Sequence, residues 1–106
     1  MTGASVYIVR CRDGHYYVGS TRGSVERRVG EHNDGIVDGY TKPRRPVVLV
    51  YAQWFDKMTE AFAAEQQLKG WSRAKKEALI AGRFDLLPEL ARNRESGDPH
   101  ASTGSA

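Results

Sequence analysis

Apolar residues fall into three short blocks before Thr59 and into a helical rhythm after it, with polar or turn-forming stretches between them. Val6-Tyr7-Ile8-Val9 is β-branched and aromatic, Arg12-Asp13-Gly14-His15 carries a turn signal, and Tyr16-Tyr17-Val18-Gly19 resumes the β pattern. A hairpin is predicted. Ser24 then stands where an N-cap belongs, Glu26 supplies an early acid, and Val25 and Val29 share a face, which predicts a helix to about His32, before Asn33-Asp34-Gly35. A polar loop with Lys42, Arg44 and Arg45 follows, closed by Pro46. The unbroken apolar run Val47-Val48-Leu49-Val50-Tyr51 predicts a buried strand in a central or doubly covered position.

Thr59 is the expected N-cap of a second helix that stops near Gly70, and Ser72 caps a third reaching about Ile80. Phe84, Leu86, Leu87 and Leu90 could form a short terminal helix or cover part of the sheet. Beyond them the Ser, Gly, Pro and Ala content, with almost no apolar bulk, reads as a disordered tail. The expected fold is α+β: a small three-stranded antiparallel sheet flanked by helices, in the order strand, strand, helix, strand, helix, helix. Residues 1–92 would form the domain and 93–106 the tail.

With 106 residues, 40% hydrophobic and 27% charged, the chain has material for one small domain and a modest core. The single cysteine, Cys11, excludes a disulfide framework and a cysteine-based zinc site, so a reducing, cytoplasmic location is expected. No run approaches the roughly 18 uninterrupted apolar residues of a membrane span, and the charged-then-apolar pattern of a signal peptide is missing. Net charge is only +3, but the cations cluster. Arg22, Arg27, Arg28, Lys42, Arg44 and Arg45 lie in the first half, while Lys69, Arg73, Lys75 and Lys76 form a run with no acid inside it. Such a run is either a contact surface for nucleic acid or a solvated helix face.

The side chain that stands out is Glu65. At about 100° per residue it falls inside the arc made by Ala61, Phe62, Ala64 and Leu68, while Glu60, Gln66 and Gln67 lie outside. A carboxylate buried there costs several kcal/mol unless it is paired with a cation, shares a proton or binds a metal. On the first helix Arg28 and His32 border the stripe of Val25 and Val29, whereas Arg27 and Glu31 point away. An Arg and a His at i, i+4 repel if the His is charged, so His32 should be neutral and hydrogen-bonded. Tyr7 and Tyr17, ten residues apart around the turn, come close to opposite each other on one face of the hairpin. Gly19 in a strand points to close approach by another group.

Taken in order, Ser5-Val6-Tyr7, Tyr17-Val18-Gly19, Val25-Glu26-Arg27-Arg28-Val29 with His32, and Glu65 resemble the GIY-YIG nuclease domain. The resemblance runs from about Ser5 to Ile80 and is closest to the small single-domain bacterial members, whose loop and helix segments match Tyr40-Thr41 through Pro46 and Leu68-Lys69 through Lys76. It implies that Tyr7 and Tyr17 contact the attacking water and scissile phosphate and that Arg28 binds that phosphate. His32 would assist proton transfer or orient a tyrosine, and Glu65 would be the sole protein ligand of a divalent metal, Mg²⁺ or Mn²⁺. Two positions depart from the family pattern. Ser5 replaces the first Gly of the tripeptide, and no Asn occurs between Gln66 and Arg92, where many members have one.

The resemblance thus implies a metal-dependent endonuclease acting on phosphodiester bonds, with DNA the expected partner, no membrane partner, and a monomeric or weakly dimeric state. Lacking a second recognition module, such a domain suits structure-dependent or low-specificity cleavage. Arg22, Lys42, Arg44, Arg45, Lys69, Arg73, Lys75 and Lys76 are the expected nucleic-acid contacts. The alternatives are a catalytically weak or inactive nucleic-acid-binding module of the same fold and a protein-interaction adaptor. A module that only binds would need Arg28 and the lysines but gain nothing from a buried carboxylate facing a phosphate.

Overall fold

The computed structural model describes residues 3–83. The sheet is antiparallel, with β1 (Ala4–Arg10) between β2 (Tyr16–Thr21) and β3 (Val48–Phe55), so the order is β2-β1-β3. The helices are α1 (Val25–Asn33), α2 (Met58–Lys69) and α3 (Arg73–Ile80), and a 3₁₀ turn spans Lys42–Arg44. The chain divides into two compact units, Met1–Gly70 and Trp71–Ala106, so α3 belongs to the second. The expected role of Phe84 to Leu90 and the expected tail at 93–106 lie outside the described residues.

The predicted element order and α+β class are those of the structure. The assignment of the central strand is not. Val47–Tyr51 is expected in a central or doubly covered position, yet β3 is an edge strand and Val48 is 53% exposed. The central strand is β1, buried from Ala4 to Val9, because it alone pairs on both sides. An apolar run signals burial, but a strand becomes central only through the partners it finds.

Pleating separates the two faces of β1. Tyr7, Val9 and Cys11 point to one side, where they pack with Val25 of α1 and with Val47, flanked by Tyr17, Val29 and Leu49. Val6 and Ile8, with Val18 opposite Ile8, point to the other side. There α2 lies against β1 and β2, burying Ala61, Glu65 and Leu68. Phe62, placed by periodicity in the same arc, is instead 61% exposed.

Local signals hold the ends of the helices. Ser24 accepts from the Arg27 amide and Ser72 from the Lys75 amide, as their N-cap positions predict. For α2 the expected cap Thr59 lies inside the helix; Lys57 is the N-cap and makes no side-chain cap bond. Asn33 anchors the loop before β3: its Oδ1 accepts from the Val47 amide at 2.7 Å and its Nδ2 donates to the Val47 carbonyl at 3.0 Å. No helix among the described residues is long and apolar enough to cross a membrane.

Candidate active site

Tyr7 pairs with Gly19 across the β1–β2 ladder, and Tyr17 pairs with Val9. The two tyrosines therefore share a face, as expected, but sit diagonally rather than directly opposite. The missing side chain at Gly19 makes room for the Tyr7 ring. A Cβ there would stand 2.6 Å from the Tyr7 hydroxyl oxygen, 2.7 Å from Cζ and 3.0 Å from Tyr17 Cε2. The close approach that a strand glycine signals is thus made by a phenol crossing over the edge strand.

The Tyr7 hydroxyl meets His32 Nε2 at 2.8 Å, and His32 Nδ1 meets Thr41 Oγ1 at 2.7 Å. His32 and Thr41 are almost fully enclosed. Burial first, and the neighbouring Arg28 charge second, hold the His32 pKa below its ordinary value against a smaller pull from Glu31, so the imidazole is neutral as expected. Tyr17 contacts the same ring edge-on, with centroids 5.4 Å apart, and stacks on Tyr40, over whose ring Arg44 sits at 4.0 Å. A continuous aromatic and cationic stack runs from His32 out to Arg44.

Arg28 reaches the same place from α1, half-exposed at 37% of its side chain against 81% for Arg27. It donates to Glu31 at 3.0 Å, and it lies close enough to the Tyr7 hydroxyl to pull the phenol's pKa down. Its Nε is buried with no hydrogen-bond partner, so the guanidinium keeps donor capacity to spare. It also lines a cavity of about 220 Å³ at the start of α1, together with Thr21, Gly23, Ser24, Arg27 and Glu31. Burial raises the Tyr7 pKa, while Arg28 pulls it back.

Glu65 approaches from the opposite face of the sheet. Ser20 Oγ donates to its Oε1 at 2.8 Å, and Lys69 Nζ lies 3.0 Å from Oε2. The two halves of the site flank adjacent positions of the edge strand: Gly19 underlies Tyr7 and Ser20 holds Glu65. No cluster of three or more His, Cys, Asp or Glu side chains able to hold a metal occurs among the described residues. One buried carboxylate is still a donor set that fits Mg²⁺ or Mn²⁺, which take oxygen ligands and keep most of their waters. Lys69 is 47% exposed and on a flexible stem, so Oε2 can be released to such an ion.

Tyr7, Tyr17, Arg28 and His32 are thereby brought together on one face, with Glu65 across the edge strand from them. The expected nucleic-acid contacts fare differently. Lys69 pairs with Glu65 while remaining exposed. Arg45 spends its guanidinium on the Lys42 and Asn33 carbonyls, and Lys42 pairs with Asp38. Even so, Lys42 and Arg45, with Arg12, line a cavity of about 520 Å³. Arg44 pairs with Asp13 at 3.0 Å, and Arg22 is exposed in the turn before α1. In the second unit Arg73 pairs with Glu77, Lys75 covers the Trp71 ring at 4.2 Å, and burial lowers the Lys76 pKa. Ser20, the partner of Glu65, carries no signal in the sequence beyond lying beside Gly19, and Thr41, the partner of His32, none beyond its place in the family-like loop from Tyr40 to Pro46.

Ser5, which stands where the family tripeptide begins with glycine, continues the ladder between Thr21 and Trp54 without interruption. Residues 3–78 match the GIY-YIG catalytic domain. The chain is 46% identical over 76 residues to UPF0213 protein SSP2268 of Staphylococcus saprophyticus, covering 72% of this chain and 92% of that one. To UPF0213 protein VNG_2274C of Halobacterium salinarum it is 49% identical over 75 residues, covering 71% and 96%. Among solved structures, the solution structure of EF2693 from E. faecalis superposes with a TM-score of 0.53 at 34% identity, covering 77% of this chain and 86% of that one. With its motif residues gathered at one strand edge and its matched span covering most of the fold, the chain belongs to the GIY-YIG catalytic-domain family and is similar to its small UPF0213 members.

Proposed function

We propose that the protein is a metal-dependent endonuclease that hydrolyses phosphodiester bonds of DNA, acting by substrate structure or with low sequence specificity. What supports this reading is that the cluster of Tyr7, Arg28 and His32 and the carboxylate of Glu65 flank adjacent positions, Gly19 and Ser20, of one edge strand. Phosphodiester hydrolysis needs a nucleophile, neutralisation of developing charge and an acid for the leaving oxygen. Arg28, charged at any working pH and partly exposed, suits a non-bridging phosphate oxygen. Tyr7, hydrogen-bonded to His32, would take a proton from an attacking water only as its phenolate, and Tyr17 flanks the same imidazole. A divalent ion held by Glu65 would supply Lewis acidity and ordered water. The basic cavity of Arg12, Lys42 and Arg45 supports contact with the backbone away from the cut.

A second reading, a nucleic-acid-binding module with little activity, is favoured by one observation: both oxygens of Glu65 already have protein partners. Incubation with labelled branched, single-stranded and duplex DNA, each with Mg²⁺, with Mn²⁺ and with chelator, separates the two. The nuclease reading expects metal-dependent cleavage of at least one substrate. Binding without cleavage under all conditions selects the other.

A further inference from the structure

On the sheet face that carries Tyr7, Ser5 lies two residues before it along β1. Ser5 pairs with Thr21 of β2 on one side and with Trp54 of β3 on the other, so these three side chains form one row across the sheet. Thr21, at one end of the row, lines the cavity of Arg27 and Arg28 at the start of α1. Trp54, at the other end, stands two strands away, about 10 Å at the usual strand spacing. The helix α1 begins after β2, where Ser24 caps it, and finishes beside the start of β3, where Asn33 holds Val47, so it ends far along the strand from Trp54. Ala52 and Trp54 are both exposed, the tryptophan at 42%.

The indole is held in place. Its Nε1–H donates to Asp56 Oδ1 at 3.0 Å, and its benzo edge lies over Gly3, where an added Cβ would collide with Cζ2, with Cη2 and with the Phe55 carbonyl. Gly3 thus does for Trp54 what Gly19 does for Tyr7: φ is positive at neither, and the missing side chain lets a ring lie across a neighbouring strand. With its one polar atom spent on Asp56, the exposed part of the ring offers only a π surface. A base inside a duplex is already stacked on its neighbours, whereas an unpaired base has a face to give to an aromatic ring. We infer that Trp54 is a stacking platform for an unpaired base flanking the phosphate at Arg28, which lies within a nucleotide's reach along the same row. Resting on the nuclease reading for that phosphate, the platform narrows the substrate to DNA that is single-stranded or frayed beside the cut. Trp54 positions the strand and takes no part in bond-making. Stacking accepts any base, in keeping with cleavage of low sequence specificity.

Binding is followed with the full-length protein in chelator, so that cleavage does not intervene, on a Trp71→Phe background in which Trp54 is the sole tryptophan. Single-stranded DNA should quench the Trp54 emission, and fully paired duplex of the same sequence should leave it nearly unchanged. Trp54→Ala should bind the single strand roughly five- to 150-fold more weakly, the range for one lost base–aromatic stack, with little change for duplex. Trp54→Phe should recover most of that loss. Because quenching is read with Trp54 in place, it decides the matter even if the alanine variant does not fold. Emission that ignores single-stranded DNA, or an equal loss of affinity for single strand and duplex in Trp54→Ala, overturns the platform. Quenching and a selective loss in a protein that cleaves nothing would support the platform while rejecting the nuclease reading. Metal-dependent cleavage of single-stranded DNA by Trp54→Ala, with the wild-type rate and affinity, would do the reverse.

Discussion

The Tyr7 ring occupies the space that a side chain at Gly19, its ladder partner, would need. Gly19 has no positive φ, so its backbone conformation suits any residue, and its lack of a Cβ is a matter of clearance. Alanine favours a strand over glycine on backbone entropy alone. Gly19→Ala should nevertheless cut the cleavage rate at least tenfold, because the phenol and its hydrogen bond to His32 must shift. Rates compared with the thermal midpoint check this: a mutant that keeps full activity would show that the Tyr7 position is not needed.

Arg27 and Arg28 are adjacent and share Glu31 as an ion-pair partner, yet only Arg28 reaches Tyr7. Arg28→Ala should cost roughly 10²-fold or more in single-turnover rate, by analogy with loss of one transition-state donor. Arg27→Ala should cost little beyond weak long-range attraction to the polyanion. Equal losses, measured at saturating enzyme, would mean that the phosphate is bound elsewhere.

Lys69 holds the Glu65 oxygen that a cation would need. Replacing it with methionine keeps the stem and removes the competing charge, so Mn²⁺ should bind several-fold more tightly, as read by calorimetry or by the paramagnetic signal of the free ion. Unchanged or weaker binding by Lys69→Met would argue that the ion does not sit on Glu65.

Acid should destabilise the fold through His32. Its folded pKa lies below the unfolded value of about 6.5, so the unfolded chain takes up this proton first. The contribution is complete above about pH 6.5 and is lost as pH falls through that value toward the folded pKa. The thermal midpoint should drop between pH 7.5 and 5.5, and drop less in His32→Gln. A wild-type midpoint that is flat or rises toward acid would contradict the buried, neutral imidazole.

What could be read from the chain was local. The Ser24 and Ser72 caps depend on neighbours three residues away, and the phase of α1 separates Arg28 from Arg27 by geometry alone. The place of β3 in the sheet was not legible, because apolar content does not reveal that β1 takes partners on both sides. Nor was the cap of α2, because the N-cap is Lys57, a residue type that gives no capping signal and makes no side-chain cap bond. Glu65 could be flagged as a buried carboxylate needing a partner, but Ser20, 45 residues away, could not be named. Thr41 could be placed in a family-like loop, but its contact with His32 exists only once that loop folds over the ring.

The central claim is that Glu65 anchors a metal-dependent cleavage site, and one comparison tests it most directly. Wild type and Glu65→Gln are assayed side by side on the substrate panel with Mg²⁺, with Mn²⁺ and with excess chelator, after thermal unfolding shows that both are folded. The amide keeps the shape and can still accept from Ser20, but it lacks the charge that holds a cation. Cleavage should appear for wild type with metal, disappear with chelator, and be absent for Glu65→Gln under every condition. Undiminished cleavage by Glu65→Gln, or by wild type in excess chelator, would contradict the account.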